Sequence, residues 1–450
     1  METEVERSVR VKLKAGKDIL DHLQVHSIDD TPSVAVPTVI GKTGLTEVVS
    51  HFLEEINLKL NFSRALEFFD LQRECILRST LEKHLKKFKL SEEDSLILEY
   101  SFPKSSEFVA EGPGTPVPDW ISCLTKIGDY VFAGSFDGSI ITNKYIAKNG
   151  VELQSIEESA HAAQITGITA FELESKIFVA TSSKDASIGI RPLLDNNKLG
   201  ERMASCLTGS GVSLETVCCA KSSDDPEDIL LATSGWGGMI SFFQVPCKSV
   251  VGADDNAESI NHSSESKRKK GISYGRSIEP VWILKGHTDN VSCCIWGSDV
   301  DPVTIFSGSW DHTLRVWDCI RQVETAILHC PKAFTSLDFQ REQQLLVSGH
   351  PDHVARIWDA RASGDAVVKL SLKGHRGWIS SVAFQGEGSP LVATASYDRC
   401  VRIWDIRGGV PVQTIQTDVT GRLFTVTWGD DNKLFLGGTD SVIRTYSAKS

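Results

Sequence analysis

The sequence has no run of about 18 apolar residues, the length a helix needs to cross a bilayer, and its first stretch, METEVERSVRVKL, lacks the apolar core of a secretion signal. It has no Cys-x-x-Cys pair. Its 11 cysteines are scattered, and the adjacent pairs Cys218-Cys219 and Cys293-Cys294 lie in apolar, strand-like runs. That pattern reads as core thiols in a reducing compartment, not as zinc ligands or disulfides. P-loop, His-Glu-x-x-His and Cys/His metal spacings are also missing, which leaves nucleotide hydrolysis and metallopeptidase chemistry without support. A positive excess is lacking too: the formal net charge of −12 argues against a protein that coats nucleic acid with its whole surface, while leaving room for a local basic patch. What remains is a chain of 450 residues, 41% hydrophobic and 24% charged, long enough to bury more than one core. The expectation is an intracellular globular protein of two or three domains with no cofactor.

One stretch carries the groups that hydrolases use for nucleophilic catalysis: SGSWDHTLRVWD, Ser307 to Asp318. The pattern recurs in SGHPDHVARIWD, ending at Asp359, and TASYDRCVRIWD, ending at Asp405. Turn aspartates fall at Asp311, Asp352, Asp398 and Asp440, spaced by 41, 46 and 42 residues, the period of propeller blades. Weaker copies place Asp137 and Asp185 at the same position, and a third has Gly237 there, so seven copies are expected. A catalytic triad has no reason to recur from blade to blade, whereas a structural network must.

Gly286-His287 precedes the strand-like VSCCIW and Gly374-His375 precedes ISSVAF, each followed by the aspartate turn. These residues resemble WD-repeat signatures. The resemblance implies a buried hydrogen-bonded tetrad in each of two blades: His287, Asp311, Ser307 and Trp317, and likewise His375, Asp398, Thr394 and Trp404. The third, fifth and seventh copies depart from the signature and are expected to be held by apolar packing.

Ahead of the repeats, VRVKLKA alternates as a strand, SIDDTPSVAVPTVI suggests a second, and TGLTEVVSHFLEEI places Leu45, Val48, Val49, Phe52 and Leu53 at helical spacing, with Thr43 as N-cap. ALEFFDLQRECILR and SLILEYSF then read as strands on either side of a short helical crossover. The order is that of a ubiquitin-like roll. The expected architecture is therefore an α+β ubiquitin-like domain over residues 1–102, a breaker-rich linker over 103–118 containing FVAEGPGTPVP, and an all-β seven-bladed WD-repeat propeller over 119–450. A disordered basic insertion is expected at about 248–280, between the third and fourth blades; it carries Lys267, Arg268, Lys269 and Lys270 as a candidate nuclear localisation signal or RNA contact.

This pairing, with DDTPSVAVP, GLTEVVSHFL, LSEEDSLILEY and DWIS in order, resembles the Ytm family of eukaryotic ribosome-biogenesis WD-repeat proteins, whose N-terminal module is the NLE domain. The related Notchless family shares that module but carries eight more regular blades. The resemblance implies a non-catalytic assembly factor for the large (60S) ribosomal subunit, acting in the nucleolus and nucleoplasm in pre-rRNA processing. Its implied partners are pescadillo, a WD-repeat protein of the block-of-proliferation type, the large-subunit preribosome with indirect or direct rRNA contact, and the AAA ATPase midasin. It further implies that a glutamate in the acidic turn after Leu90 completes a Mg²⁺ site in midasin. The family commonly reads Gly-Leu-Ser-Ser-Glu where this chain has Lys-Leu-Ser-Glu-Glu; Glu93 gives the ungapped alignment, with Glu92 the neighbouring alternative. A second class of function comes from WDAR at Trp358 to Arg361 and WDIR at Trp404 to Arg407, which match the short motif of cullin ubiquitin-ligase substrate receptors.

Overall fold

A computed structural model of the protein describes residues 8–15, 19, 33–55, 66–72, 75–77, 80–91, 95–101, 108–146, 150–173, 175–207, 211–221, 228–245, 276–297, 303–361, 368–386, 388–409, 411–417, 421–429 and 432–448. They fall into two compact units, 1–106 and 107–450.

In the first unit, β1 (Ser8–Ala15) buries Val9, Val11 and Leu13 and exposes Arg10, Lys12 and Lys14, as a half-buried strand should. It pairs antiparallel with β2 (Ser33–Pro37) and parallel with β5 (Leu96–Ser101). The stretch expected to be one strand divides into β3 (Glu67–Asp70) and β4 (Cys75–Ile76), giving the order β2-β1-β5-β3-β4. Asp70 explains the division. Its fully buried carboxylate accepts the Gln72 N–H at 3.0 Å, turning the chain, and lies 2.9 Å from Nε2 of His84 on α2 (Leu81–Phe88). A buried carboxylate needs such partners. Helix α1 (Lys42–Glu55) places Leu45, Val49 and Leu53 against Phe68, Leu98 and Tyr100. It starts one residue before Thr43, which therefore sits inside the first turn instead of capping it.

The second unit is built from β6 to β34, which form seven sheets. Their first strands are β7 (Ile121–Ile127), β11 (Ile165–Leu173), β15 (Leu214–Lys221), β20 (Val291–Trp296), β24 (Ser336–Gln340), β28 (Ile379–Phe384) and β32 (Leu423–Gly429). Each packs against the next in that order, and β32 packs against β7, which closes the ring. The last sheet is completed by β6 (Phe108–Pro116), paired antiparallel with β34 (Val442–Ala448). Residues 108–116 were expected in the linker because of their glycines and prolines. They form a strand because β6 is outermost in its sheet: an edge strand needs only one row of hydrogen bonds and so tolerates Pro113 and Pro116. Gly112 and Gly114, at φ +70° and +80°, absorb a register shift opposite Ile443 and Thr445.

The insertion also differs from expectation. It lies within the third blade, between β17 (Met239–Val245) and β19 (Trp282–Lys285), and not between the third and fourth. Within the 248–280 segment expected to be disordered, Arg276–Ile278 form β18, a fifth strand added parallel to β14 (Ala204–Leu207) of the second blade. The unpaired edge of β14 supplies the hydrogen-bonding groups that low hydrophobicity alone did not suggest.

Two local devices repeat around the ring. The residue after each turn aspartate, or after Gly237 in the third blade, has φ between +56° and +86°: Gly138, Ala186, Gly238, His312, His353, Arg399 and Ser441. In five of these turns the aspartate carboxylate accepts the N–H two residues on, which offsets the cost of that conformation. The second device is a bulge. Ser122, Thr166, Glu215, Ser292, Ser380 and Phe424 are skipped in the pairing of their strands. Four of these side chains donate a hydrogen bond to the next blade: Ser122 to Ile165 O, Thr166 to Leu214 O at 2.9 Å, Ser292 to Phe334 O at 2.7 Å and Ser380 to Leu423 O at 2.8 Å. Thr335 does the same to Ile379 O at 2.6 Å. This belt of hydroxyls ties neighbouring blades together. Thr335→Val keeps the shape, removes the donor and leaves a carbonyl unpaired, so it should cost about 1–2 kcal/mol in urea unfolding without altering the circular dichroism of the native state.

Candidate functional site

In the fourth blade, His287 lies 2.8 Å from Asp311 Oδ2 through Nδ1 and 2.8 Å from Ser307 Oγ through Nε2, while Trp317 Nε1 donates to Ser307 Oγ at 2.8 Å. The sixth blade repeats this with His375 Nδ1 2.9 Å from Asp398, Nε2 2.7 Å from Thr394, and Trp404 Nε1 donating to Thr394 at 2.8 Å. All eight residues of the two tetrads are thus brought together. The direction of donation is determined: indole N–H to hydroxyl, hydroxyl to Nε2, Nδ1–H to carboxylate.

Donor by donor this is the order of a Ser-His-Asp triad, but it cannot act as one. Ser307 and Thr394 are 0% exposed, and each oxygen is occupied by an indole N–H, so no substrate carbonyl reaches it. Burial pushes the His287 imidazole below its ordinary value of 6.5, against the opposing pull of Asp311. Burial would raise the Asp311 carboxyl, but hydrogen bonds from Thr313 and His287 outweigh it and bring the pKa down to about 2. The pair is therefore a neutral imidazole donating to a carboxylate, a stable arrangement across the neutral range.

Two further networks escaped the sequence reading. In the second blade, His161 lies 2.8 Å from Thr181 and 3.2 Å from Asp185. Arg191 takes the tryptophan position of that blade, and Arg202 donates to Ala160 O at 2.7 Å over Gly189, where a Cβ would meet its guanidinium at 2.9 Å. The missing signal was the Gly-His pair, replaced here by Ala160-His161. The fifth blade is not held by apolar packing alone. His350, from the strand end and not from the loop before the blade, lies 2.7 Å from Ser348 Oγ and donates through Nδ1 to Ala333 O at 2.8 Å; Trp358 Nε1 donates to the same Ser348 at 2.6 Å. Burial lowers its pKa to about 4.

Glu93 and its neighbour Glu92 lie outside the described residues, as do Lys267, Arg268, Lys269 and Lys270. Ser91 and Ser95, on either side of the acidic stretch, are exposed, and α2 ends before it in a left-handed cap at Lys89. Arg361 and Arg407 of the two WDxR motifs are each paired with the aspartate two residues earlier, at 2.9 and 2.7 Å. Among the described residues no group of three or more His, Cys, Asp or Glu could hold a metal ion.

Comparison with known proteins agrees with this architecture. The WD domain, G-beta repeat family matches residues 278–318, 322–359 and 367–405, the part of the chain that forms the fourth, fifth and sixth blades. Over nearly the whole chain the protein is similar to curated relatives called "Ribosome biogenesis protein WDR12 homolog". The one from Nematostella vectensis is 27% identical, covering 94% of this chain and 96% of its own length. That from Culex quinquefasciatus is 24% identical over 95% and 96%, and that from Arabidopsis thaliana 25% over 96% and 98%.

Replacing Asp311 by Ala should orphan the His287 N–H and destabilise the propeller by about 1–3 kcal/mol. An unchanged thermal midpoint accompanied by loss of a hydrolytic activity would reverse the structural reading. Acid should weaken the fold in two windows. His161, His287 and His350 have folded pKa values below 6.5, so the unfolded chain takes up their protons first and stability falls as pH drops below about 6.5. Asp185, Asp311 and Asp398 are held below 3.8, so a second loss follows as pH falls from there through their folded values. Thermal midpoints measured from pH 8 to pH 3 test both; a flat profile between pH 7 and pH 5 contradicts the first.

Proposed function

We propose that this chain, similar over 94 to 96% of its length to relatives named for ribosome biogenesis, is a WD-repeat protein of that kind and acts as a non-catalytic assembly factor for the large ribosomal subunit. The propeller holds a pescadillo-type complex, including its block-of-proliferation-type partner, on the precursor particle in the nucleolus and nucleoplasm. The N-terminal unit is read as ubiquitin-like and serves as the handle by which midasin removes that complex. The observation that carries the proposal is the full-length likeness. The strand order β2-β1-β5-β3-β4 with its parallel β1–β5 pair supports the ubiquitin-like reading. The burial of both tetrads supports a structural role for the groups that had suggested catalysis.

Release rests on Glu93. A Mg²⁺ site accepts an oxygen ligand at about 2.1 Å and tolerates little error in position. Glu93→Asp, one methylene short, and Glu93→Ala should therefore both abolish Mg²⁺-dependent binding to the isolated midasin adhesion domain, with Glu92→Ala as control. Neither is expected to unfold the chain, since a substitution in a charged, polar stretch typically changes stability by no more than about 0.5 kcal/mol. The variant still joins its complex, and precursor particles carrying it accumulate. Binding retained by Glu93→Ala but lost in Glu92→Ala moves the ligand by one residue, and binding retained in both ends the release-handle reading. Neutralising Lys267 to Lys270 should reduce nuclear accumulation of a tagged protein at unchanged stability; unchanged accumulation with weakened precursor-rRNA binding assigns the cluster to RNA instead.

A further inference from the structure

On one face of the ring, the residue that opens a blade's turn donates its backbone N–H to the residue or two before that blade's first strand, so the same two positions recur from blade to blade. Trp120 and Phe136 occupy them in the first blade, Trp378 and Tyr397 in the sixth, and Arg422 and Thr439 in the seventh. Phe424, at the bulge of the seventh blade, lies between the two aromatic pairs, 5.3 Å from the Phe136 ring and 5.8 Å from that of Tyr397. The Tyr397 ring is in turn stacked on Trp378 at 6.1 Å and 12°. A continuous set of rings thus runs from the sixth blade through the seventh to the first.

Mutual packing explains the inner rings, which cover the blade that has Phe424 in place of a belt hydroxyl. It does not explain Trp378, which is 48% exposed, or the cations around it. Arg376, in the loop before the sixth blade, and Arg399, in its turn, are exposed, and Arg422 is exposed with its guanidinium 5.1 Å from the centre of the Tyr397 ring. The carboxylates of the adjoining turns are already engaged, Asp398 with His375 and Asp440 with Arg444, and among the described residues none of the three arginines forms an ion pair. Three bare guanidiniums beside an exposed indole stand on a chain whose formal net charge is −12. The first-blade end of the arc differs, since Asp137 is exposed there.

A row of guanidiniums attracts a polyanion, and an exposed indole face attracts a flat ring. An acidic peptide would satisfy the first demand and leave the indole bare, while a double helix carries phosphates but keeps its base faces covered. A single strand offers phosphates and base faces together. We propose that the face of the sixth and seventh blades is a binding surface for single-stranded nucleic acid, with a base stacked on Trp378 and phosphates held by Arg376, Arg399 and Arg422. That the strand is RNA rests on the proposed place of this chain on a ribosomal precursor; the stacking and the charge do not.

The test uses the full-length protein with its Lys267 to Lys270 cluster replaced by glutamine, so that the second basic segment adds nothing, and labelled octamers that cannot pair with themselves. Fluorescence anisotropy compares single-stranded RNA, the same sequence as DNA, the sugar-phosphate chain without bases, and an octaglutamate peptide. RNA should bind at roughly 10–100 µM at physiological salt, and log K should fall against log salt with a slope of about −2, the value for three phosphates of a single strand. The chain without bases and the peptide should bind at least about fivefold more weakly, the size of one lost base stack. Trp378→Ala should weaken RNA binding by the same factor at unchanged slope, with Trp378→Phe restoring most of it, whereas Arg376→Gln combined with Arg399→Gln should bring the slope to about −0.7. DNA should bind about as well as RNA; DNA bound at least about tenfold more tightly overturns the assignment to RNA. Equal binding of the base-free chain or of the peptide, or RNA binding untouched by Trp378→Ala, overturns the proposal. Absence of RNA binding overturns it too and leaves the assembly-factor reading standing, since that reading rests on the full-length likeness. The comparison of the four probes, made with Trp378 and the arginines intact, decides the matter even if a variant fails to fold.

Discussion

Everything in the larger unit depends on pairing β6 with β34, two strands separated by more than 300 residues of chain. A ring of sheets is stable only when closed, since an open ring exposes the side of its first blade and the side of its last. By supplying the outer strand of the final blade from the start of the propeller, the chain turns seven locally folded sheets into one cooperative object. The entropy of closing so long a loop is lost once and grows only slowly with length. That is why the ring accommodates long excursions such as the one inside its third blade.

Within the ring, stability is distributed over two systems of polar contacts. The His-centred networks act within a blade, tying the loop before it to its turn and third strand. The hydroxyl belt acts between blades. Among the described residues the first blade has no histidine network but donates through Ser122, the third lacks a belt hydroxyl at its bulge but donates through Ser234, and the seventh, with Phe424 at its bulge, has neither. Irregular repeats are held by whichever of these contacts they retain and by apolar clusters shared between adjacent sheets, which fill the space between them.

What could be read from the sequence follows the range of the interactions. The aspartate turns were legible because their chemistry is contained in three consecutive residues, and the two regular tetrads because each member sits in a fixed repeat. His350 was not, since a histidine two residues from its serine reaches the same oxygen by another path. His161 was missed for want of a preceding glycine. The hydroxyl belt has no signature at all: a serine at a bulge looks like any serine until the partner blade is present. β6 was hidden by glycines and prolines that only an edge strand tolerates, and β18 by a composition that would not fold without the waiting edge of β14. Of the candidate functional groups, the tetrads were placed together by the fold, whereas Glu93 and the Lys267 to Lys270 cluster are legible only as sequence.

The three residues of β18 make the insertion a staple. Its chain leaves the third blade from β17, hydrogen-bonds along the outer edge of the second, and returns to the third as β19. Two neighbouring blades are therefore joined at their rims as well as at the axis, and a force that splayed them apart would first have to unzip a parallel strand pair. The rim is otherwise the loosest part of a propeller, where adjacent sheets diverge. Stapled there, the second and third blades share backbone hydrogen bonds at the rim, so the ring has one double-width part among its seven blades.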